Sequence, residues 1–279
     1  MALTFIPEVW SAQILTSLKK NLVYAQEGVV NRDYEGDITG QGDTVRIRSI
    51  GRPTIATYVK GSTSITPEQL TDAQRALYID QAKYFAFEVD DIDAAQSTGG
   101  ELDEGLTEAA YGLRDVADQY VASLYTGAQS ANQLGTVSVT TAALAYTQLR
   151  KLSVKLDEAN VPQEGRYVVV PPWYYGLLLE DDKFVRVDAS GTAAGLRNGV
   201  VGQALGFDVM KSNNAPLVTG DDYAVIAGHR SAISYAEQIV KVETYRPEDS
   251  FSDAIKGLHV YGAKLVRPDA IATVIASVT

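Results

Sequence analysis

A long pair of strand-forming arms between Thr44 and Asp90 constrains this fold more than any other feature. β-Branched and aromatic residues are frequent in both arms, and a polar tip separates the arms between Gly61 and Thr71. Two arms of roughly fifteen residues predict a hairpin up to ~50 Å long. A compact chain of this length has a radius of gyration near ~19 Å, and an isolated two-stranded ribbon is marginal in water. We therefore expect the hairpin to lie on a surface outside its own domain. The alternative is two edge strands of an ordinary sheet.

The first arm is basic, although the protein as a whole is acidic. Arg46, Arg48, Arg52 and Lys60 lie in this arm, whereas the chain has 24 basic and 35 acidic residues and a net charge of −11. Charges on edge strands prevent unwanted pairing, and a basic arm also complements an acidic neighbour of the same sequence. An acidic surface repels phosphate, so we expect no general binding to DNA or anionic lipid.

Apolar periodicity predicts two helices in the middle of the chain. The longer helix begins near Thr98 and Glu101, which have the spacing of a capping box, and runs to Tyr125. The second starts near Thr141 and stops at the Asn-Val-Pro sequence of residues 160–162. Only one stripe of the long helix is apolar, so we expect it to lie across a layer of the fold.

The rest of the chain reads as short elements separated by turns. We predict strands at 166–171, 206–210 and 222–227, helical stretches from Pro172 and at 231–238, and closing strands at 239–246, 257–266 and 270–278. The long helix and the closing strands flank a mixed insertion of ~100 residues, which indicates two intertwined domains.

The first forty residues combine an amphipathic stretch with turn residues. Apolar residues that include Trp10 recur at near-helical spacing with Lys19 on the outer side, and several glycines follow from Gly28 onward. Two interpretations stay open: a helix docked on its own core, or an arm that reaches a neighbouring subunit.

The residues that carry chemistry are scarce. The chain has no cysteine, which excludes disulfides, thiol nucleophiles and cysteine metal sites, and its two histidines, His229 and His259, do not form a ligand pattern. The acidic run at 88–104 fits the start of a helix better than a divalent-ion site, which stays as the alternative. The apolar stretch at 270–278 is too short to span a bilayer. We therefore expect no catalytic residue, cofactor, metal or membrane partner, and a soluble intracellular chain.

The order of these parts resembles the HK97-fold major capsid proteins of tailed phages, and most closely the P22 coat-protein type. The glycine–strand–Ser-Asn-Asn-Ala-Pro stretch at 199–216 is similar to a recurring stretch of that family. The ending, at 242–246 and 257–268, is similar as well. The resemblance implies an α+β fold with an N-terminal arm, an extended β-hairpin loop, a spine helix, a peripheral domain and a mixed α/β axial domain.

The resemblance also implies where these parts lie in the chain. The N-terminal arm is expected at 1–40, the extended loop at 41–91, the peripheral domain with its spine helix at 92–136 and 239–279, and the axial domain at 137–238. Some family members join neighbours by a lysine–asparagine bond whose asparagine lies late in the peripheral domain. No Asn follows Asn214 here, so we expect no such bond at Lys60.

The function implied is that of a major capsid protein that assembles as pentamers and hexamers into an icosahedral shell around double-stranded DNA. Its partners are then its own copies, a portal and separate scaffolding or decoration proteins, with assembly in the host cytoplasm. We expect intersubunit contacts at Trp10, Lys19, Arg46, Arg48, Arg52, Tyr58 and Lys60. Two alternatives stay open: an encapsulin-like nanocompartment shell protein, and an unrecognised soluble α/β enzyme or binding protein.

Overall fold

A computed structural model describes residues 23–33, 44–50, 55, 57, 60, 72–90, 101–181, 200–249 and 252–278. For 44–50, 72–74, 89–90, 101–104, 200–202 and 239–241 it describes the backbone alone. Helices and three separate sheets occur together in this part of the chain, which confirms the α+β class.

The elements are numbered in chain order. The helices are α1 (Glu101–Ser123), α2 (Ala142–Glu158) and α3 (Pro172–Leu179). The strands are β1 (Thr44–Ile50), β2 (Asp72–Tyr78), β3 (Gln81–Asp90), β4 (Gln133–Ser138), β5 (Arg166–Val170), β6 (Val200–Ala204), β7 (Phe207–Lys211), β8 (Leu217–Thr219), β9 (Asp222–His229), β10 (Ile233–Tyr245), β11 (Ser252–Leu265) and β12 (Ile271–Ser277).

The predicted long helix is confirmed as α1, which packs on the antiparallel sheet β10-β11-β3. The residues buried between helix and sheet are Leu106, Ala110, Leu113, Val242 and Ile255, with Phe85 and Phe87 packed against them. One apolar stripe of α1 is thus sufficient to hold it across the sheet.

The second predicted helix is confirmed as α2, and it covers a mixed sheet of order β4-β12-β9-β5-β7-β6, in which β8 also pairs with β9. The Thr141 side chain accepts a hydrogen bond from the Leu144 amide at 3.4 Å and caps the helix. All five residues of β5 are buried, as expected of a strand covered on both faces. This part of the protein therefore holds the largest core.

The predicted helical stretch at 231–238 is wrong, because residues 231 and 232 lie in a turn and residues 233–238 form the first half of β10. Residues 232–237 are all buried. Tyr235 and Glu237 face the segment that contains Arg32, whereas Ala236 packs with Leu77 on the opposite face. Because both faces are covered, the strand lacks the alternation of apolar and polar residues that identifies a half-buried strand.

The predicted hairpin is confirmed only in its proximal part. Strands β1 and β2 pair antiparallel from Thr44–Tyr78 to Ile50–Asp72, a paired length of ~23 Å. The second half of the returning arm is instead β3, which pairs with β11. Residues between 51 and 71 are mostly outside the described part of the chain.

The last strand of the chain, β12, lies in the mixed sheet. Strand β12 pairs antiparallel with β9 and parallel with β4, so the end of the chain lies in the sheet that is otherwise built largely by the 137–238 insertion. Within the described residues, no helix is long and apolar enough to cross a membrane. The domain bounds themselves stay a prediction.

Candidate assembly surfaces

Residues 23–33, which we call the arm root, are held at their start by the carboxylate of Asp118 on α1. Asp118 Oδ1 accepts hydrogen bonds from the backbone amides of Val23 at 3.0 Å, Tyr24 at 2.7 Å and Ala25 at 3.4 Å. Its Oδ2 accepts from Asn214 Nδ2 at 3.0 Å. One side chain therefore connects the arm root, α1 and the turn after β7.

Asp118 is only 3 % exposed. Burial raises the pKa of its carboxyl, and the hydrogen bonds from Asn214 and from the arm-root amides act in the opposite direction. The backbone amides of residues 23–25 do not belong to a helix or a sheet. The Asp118 carboxylate accepts their hydrogen bonds instead, so these buried donors are not left without an acceptor.

A second buried carboxylate, Glu237 on β10, holds the end of the arm root. Arg32 Nη1 lies 2.9 Å from Glu237 Oε1, and the hydroxyl of Tyr235 donates to Oε2 at 2.8 Å. His259 Nε2 lies 3.3 Å from the same Oε2. The Arg32 guanidinium also donates to the carbonyl of Ala25 at 2.9 Å, which closes the arm root on itself.

The environment of Glu237 keeps it ionised. Burial alone raises the pKa of this carboxyl, but the contact with His259, the charge of Arg32 and the Tyr235 hydroxyl outweigh burial and lower it to about 2. Removal of either partner of such a buried ion pair leaves an uncompensated buried charge, which is strongly destabilising.

Backbone pairing and apolar contacts complete the docking of the arm root. The Asn31 amide donates to the Ile233 carbonyl at 2.8 Å, and the Tyr235 amide donates to the Asn31 carbonyl at 2.9 Å. The arm-root residues buried in the main core are Tyr24, Ala25, Val29 and Val30. The end of the N-terminal segment therefore packs on its own chain, while the predicted helical stretch lies within residues 1–22, outside the described residues.

The root of the β1–β2 ribbon is also fixed to the body. Leu77 and Ile79 are buried beside Ala236 and Val260. The backbone of Tyr78 and Ile79 passes so close to Gly262 that a Cβ there would fall on the Tyr78 carbonyl oxygen and lie 3.0 Å from Ile79 Cα. Only glycine permits this approach without displacement of the ribbon root.

The predicted contact residues fall on a part of the chain that is described only in places. Trp10, Lys19, Arg52 and Tyr58 are outside the described residues. Arg46 and Arg48 lie in β1, opposite Ala76 and Gln74, and Lys60 is exposed in a turn. Their role between subunits stays a prediction.

Sequence reasoning missed Asp118 and Glu237. The available signal for Asp118 was an acid within the apolar stripe of α1, between Leu113 and Val121. For Glu237 there was none, because its neighbourhood was interpreted as a helix. Within the described residues, no group of three or more acids or histidines is placed to hold a metal ion, and most of the acidic run at 88–104 is outside them.

Known structures share this arrangement. The structure from Mycobacterium phage Che8 is 35% identical over 98% of both chains, with a TM-score of 0.73. The capsid structure of the cyanophage P-SCSP1u is 18% identical over 94% of this chain and 90% of that chain, with a TM-score of 0.72. A virus-like particle from Pyrococcus furiosus is 16% identical over 97% and 100% of the two chains, with a TM-score of 0.58. The last two similarities concern the fold alone.

The sequence agrees with the fold. The family model described as phage capsid protein matches residues 73–274, whereas no curated protein matches the chain. The chain belongs to the phage capsid protein family. It is a major capsid protein with the HK97-like fold, a structural component of the virion shell that copies of the chain build together.

Proposed function

We propose that copies of this protein assemble as pentamers and hexamers into an icosahedral shell that encloses double-stranded DNA. The observation that carries the proposal is the β1–β2 ribbon. Among the described strands it forms a two-stranded sheet of its own, apart from the other two sheets. A ribbon of this kind is marginal in water, and a neighbouring subunit supplies the surface it needs.

The charges of the ribbon support the same proposal. No acidic residue of β2 stands directly opposite Arg46 or Arg48, whose register partners are Ala76 and Gln74. The residues directly opposite these two cations are therefore uncharged. A neighbouring copy, with the same net charge of −11, attracts them.

The two roots determine how the extended segments work in the shell. Asp118 and Glu237 fix the arm root, and the contact at Gly262 fixes the ribbon root. In this proposal, residues 1–22 and 51–71 contact neighbouring copies. Trp10, Lys19, Arg52, Tyr58 and Lys60 make intersubunit contacts in this proposal.

The remaining parts of the proposal concern partners and domains. The N-terminal arm is 1–40, the extended loop 41–91, the peripheral domain 92–136 and 239–279, and the axial domain 137–238. The shell is built in the host cytoplasm with a portal and separate scaffolding or decoration proteins. It encloses DNA without sequence-specific binding, which the acidic net charge of −11 supports, and the protein has no enzymatic role.

The test is assembly of the purified full chain, followed by light scattering and electron microscopy. We expect closed particles from the wild type. We expect folded, unassembled subunits from Arg46→Glu/Arg48→Glu. The matched control, Arg230→Glu/Lys264→Glu, makes the same change of charge at exposed positions outside the ribbon and should still assemble. A wild type that stays monomeric at high concentration contradicts the proposal, and particles that hold a protein cargo without DNA favour the nanocompartment.

A further inference from the structure

We propose that the acidic tip of the β8–β9 hairpin in one copy docks on the basic outer face of helix α2 in the next copy. This inference rests on the proposed shell assembly and names one contact within a ring of subunits. The tip comprises residues 217–222. The α2 outer face comprises Arg150, Lys151 and Val154.

The tip is the short, tightly turned end of a hairpin. Thr219 pairs with Asp222 across the two-residue turn Gly220–Asp221, and Gly220 has a φ of +57° that suits such a turn. Asp221 is exposed at its end and Asp222 is partly exposed beside it. Neither carboxylate forms an ion pair or a hydrogen bond with a described residue, so two negative charges face solvent on a fixed support.

Apolar side chains stand next to these charges. Leu217 is 58% exposed and Val218 is 39% exposed. Val278, which is 43% exposed, follows Ser277, the register partner of Asp222 on β12. Exposed large apolar residues that are grouped and bordered by charge are typical of protein interfaces.

The outer face of α2 has the opposite charge. Leu149 and Leu152 are fully buried toward the sheet, while Arg150, Lys151 and Val154 are exposed on the other side, with Val154 at 47%. One turn further on, Lys155 already pairs with Glu158 at 2.8 Å. Arg150 and Lys151 form no ion pair within the described part of the chain. Two unpaired cations and one apolar residue thus face outward on a protein of net charge −11.

The tip and the α2 outer face are complementary in charge and in apolar area. Two aspartates meet two basic residues, and Leu217 and Val218 supply apolar area that Val154 covers. Contact of the tip with a second tip would place like charges together, which is unfavourable. A contact between different surfaces of identical chains runs head to tail and closes into a ring when the rotation fits. The partner is therefore a second copy of this chain, arranged as neighbours around a ring.

Charge reversal and its repair test the contact directly. We expect Asp221→Lys/Asp222→Lys to reduce the yield of shells at least tenfold, and Arg150→Glu/Lys151→Glu to do the same. The chain with all four substitutions should recover at least half of the wild-type yield, because the charges are complementary again. Glu164→Lys, at the opposite end of β9 beside His229, is the control and should assemble as the wild type does.

Cysteine pairing gives a second measurement, since the chain has no cysteine of its own. Oxidation of assembled Asp221→Cys/Lys151→Cys with copper phenanthroline should give covalent oligomers up to the ring size in denaturing gels, whereas Glu164→Cys/Lys151→Cys should stay monomeric. The inference is overturned if the reversal variants assemble normally, if the fourfold variant fails to recover, or if the Asp221 pair gives no oligomers. In each of these cases wild-type shells still form, so the proposed function stands.

Discussion

Replacement of Asp118 by alanine removes the anchor at the start of the arm root. The substitution leaves the amides of Val23 and Tyr24, which lie 3.0 and 2.7 Å from Oδ1, without their acceptor. It also leaves the Asn214 amide without its acceptor at 3.0 Å. Because Tyr24 is 2% exposed, its amide has no access to water unless the arm root moves.

The cost follows from these three bonds. Each donor left without an acceptor costs about 1–2 kcal/mol, which gives about 3–6 kcal/mol in total. Removal of the carboxylate also removes its desolvation, which is the main reason that its pKa is raised, and this offsets part of the loss. We expect a net decrease of about 3 kcal/mol in the free energy of unfolding, or a Tm lower by roughly 5 °C.

Urea denaturation of unassembled subunits measures the global effect, and hydrogen exchange locates it. Exchange of the Tyr24 and Ala25 amides should be faster by roughly a hundredfold in Asp118→Ala. Asp118→Asn keeps one acceptor and should lose only about 1 kcal/mol. The control, Asp115→Ala, removes an exposed acceptor of Gln119 at 2.7 Å on the same helix and should change stability by less than ~0.5 kcal/mol.

Unfolding of Asp118→Ala at the same urea concentration as the wild type would refute this role of Asp118. It is also refuted if stability falls while the Tyr24 amide stays protected, because the loss would then arise elsewhere than at the arm root.

Two further predictions concern the other anchors. The folded-state pKa of Glu237 is about 2, below its usual value of 4.5, so its contribution of at most ~3 kcal/mol is present above pH 4.5 and is lost as the pH falls toward 2. Urea titrations at pH 7 and pH 3 should show Glu237→Gln much less stable than the wild type at pH 7, with the difference reduced to roughly half or less at pH 3; an equal difference at both pH values would contradict this assignment. Gly262→Ala should destabilise by about 3 kcal/mol, because its Cβ meets backbone at the ribbon root, whereas Gly112→Ala on α1, where nothing lies within 4 Å, should stabilise by about 0.5–1 kcal/mol. Thermal melts of Gly262→Ala and Gly112→Ala measure this difference. Equal melting temperatures for the two variants would contradict the close approach of the Tyr78–Ile79 backbone to Gly262.

Local patterns in the sequence were sufficient for the helices. The stripe on α1 and the cap at Thr141 depend on residues within a few positions of one another, and both helices begin where predicted. The strand β5 was also recognisable, since a short apolar run between turns indicates a buried strand.

Local sequence patterns did not predict the structure where contacts between distant positions determine it. The segment 231–238 contains good helix formers, but the arm root and the ribbon root cover both its faces and make it a strand. The partner of β3 is β11, more than 150 positions later, which periodicity does not reveal.

The two anchors were hidden for the same reason. Tyr24 and Asp118 are 94 positions apart, and Arg32 and Glu237 are 205 apart. A single acid in an apolar stripe signals that a partner exists, but only the fold identifies that partner.

A cryo-electron microscopy reconstruction of the assembled protein, at a resolution that separates neighbouring chains, is the most direct measurement. We expect a closed icosahedral particle in which the distal end of the ribbon, at 48–50 and 72–74, lies against a different copy, while Leu77 and residues 23–33 stay on their own body. A distal end of the ribbon that lies on its own subunit, or a preparation with no closed particles, would contradict the account.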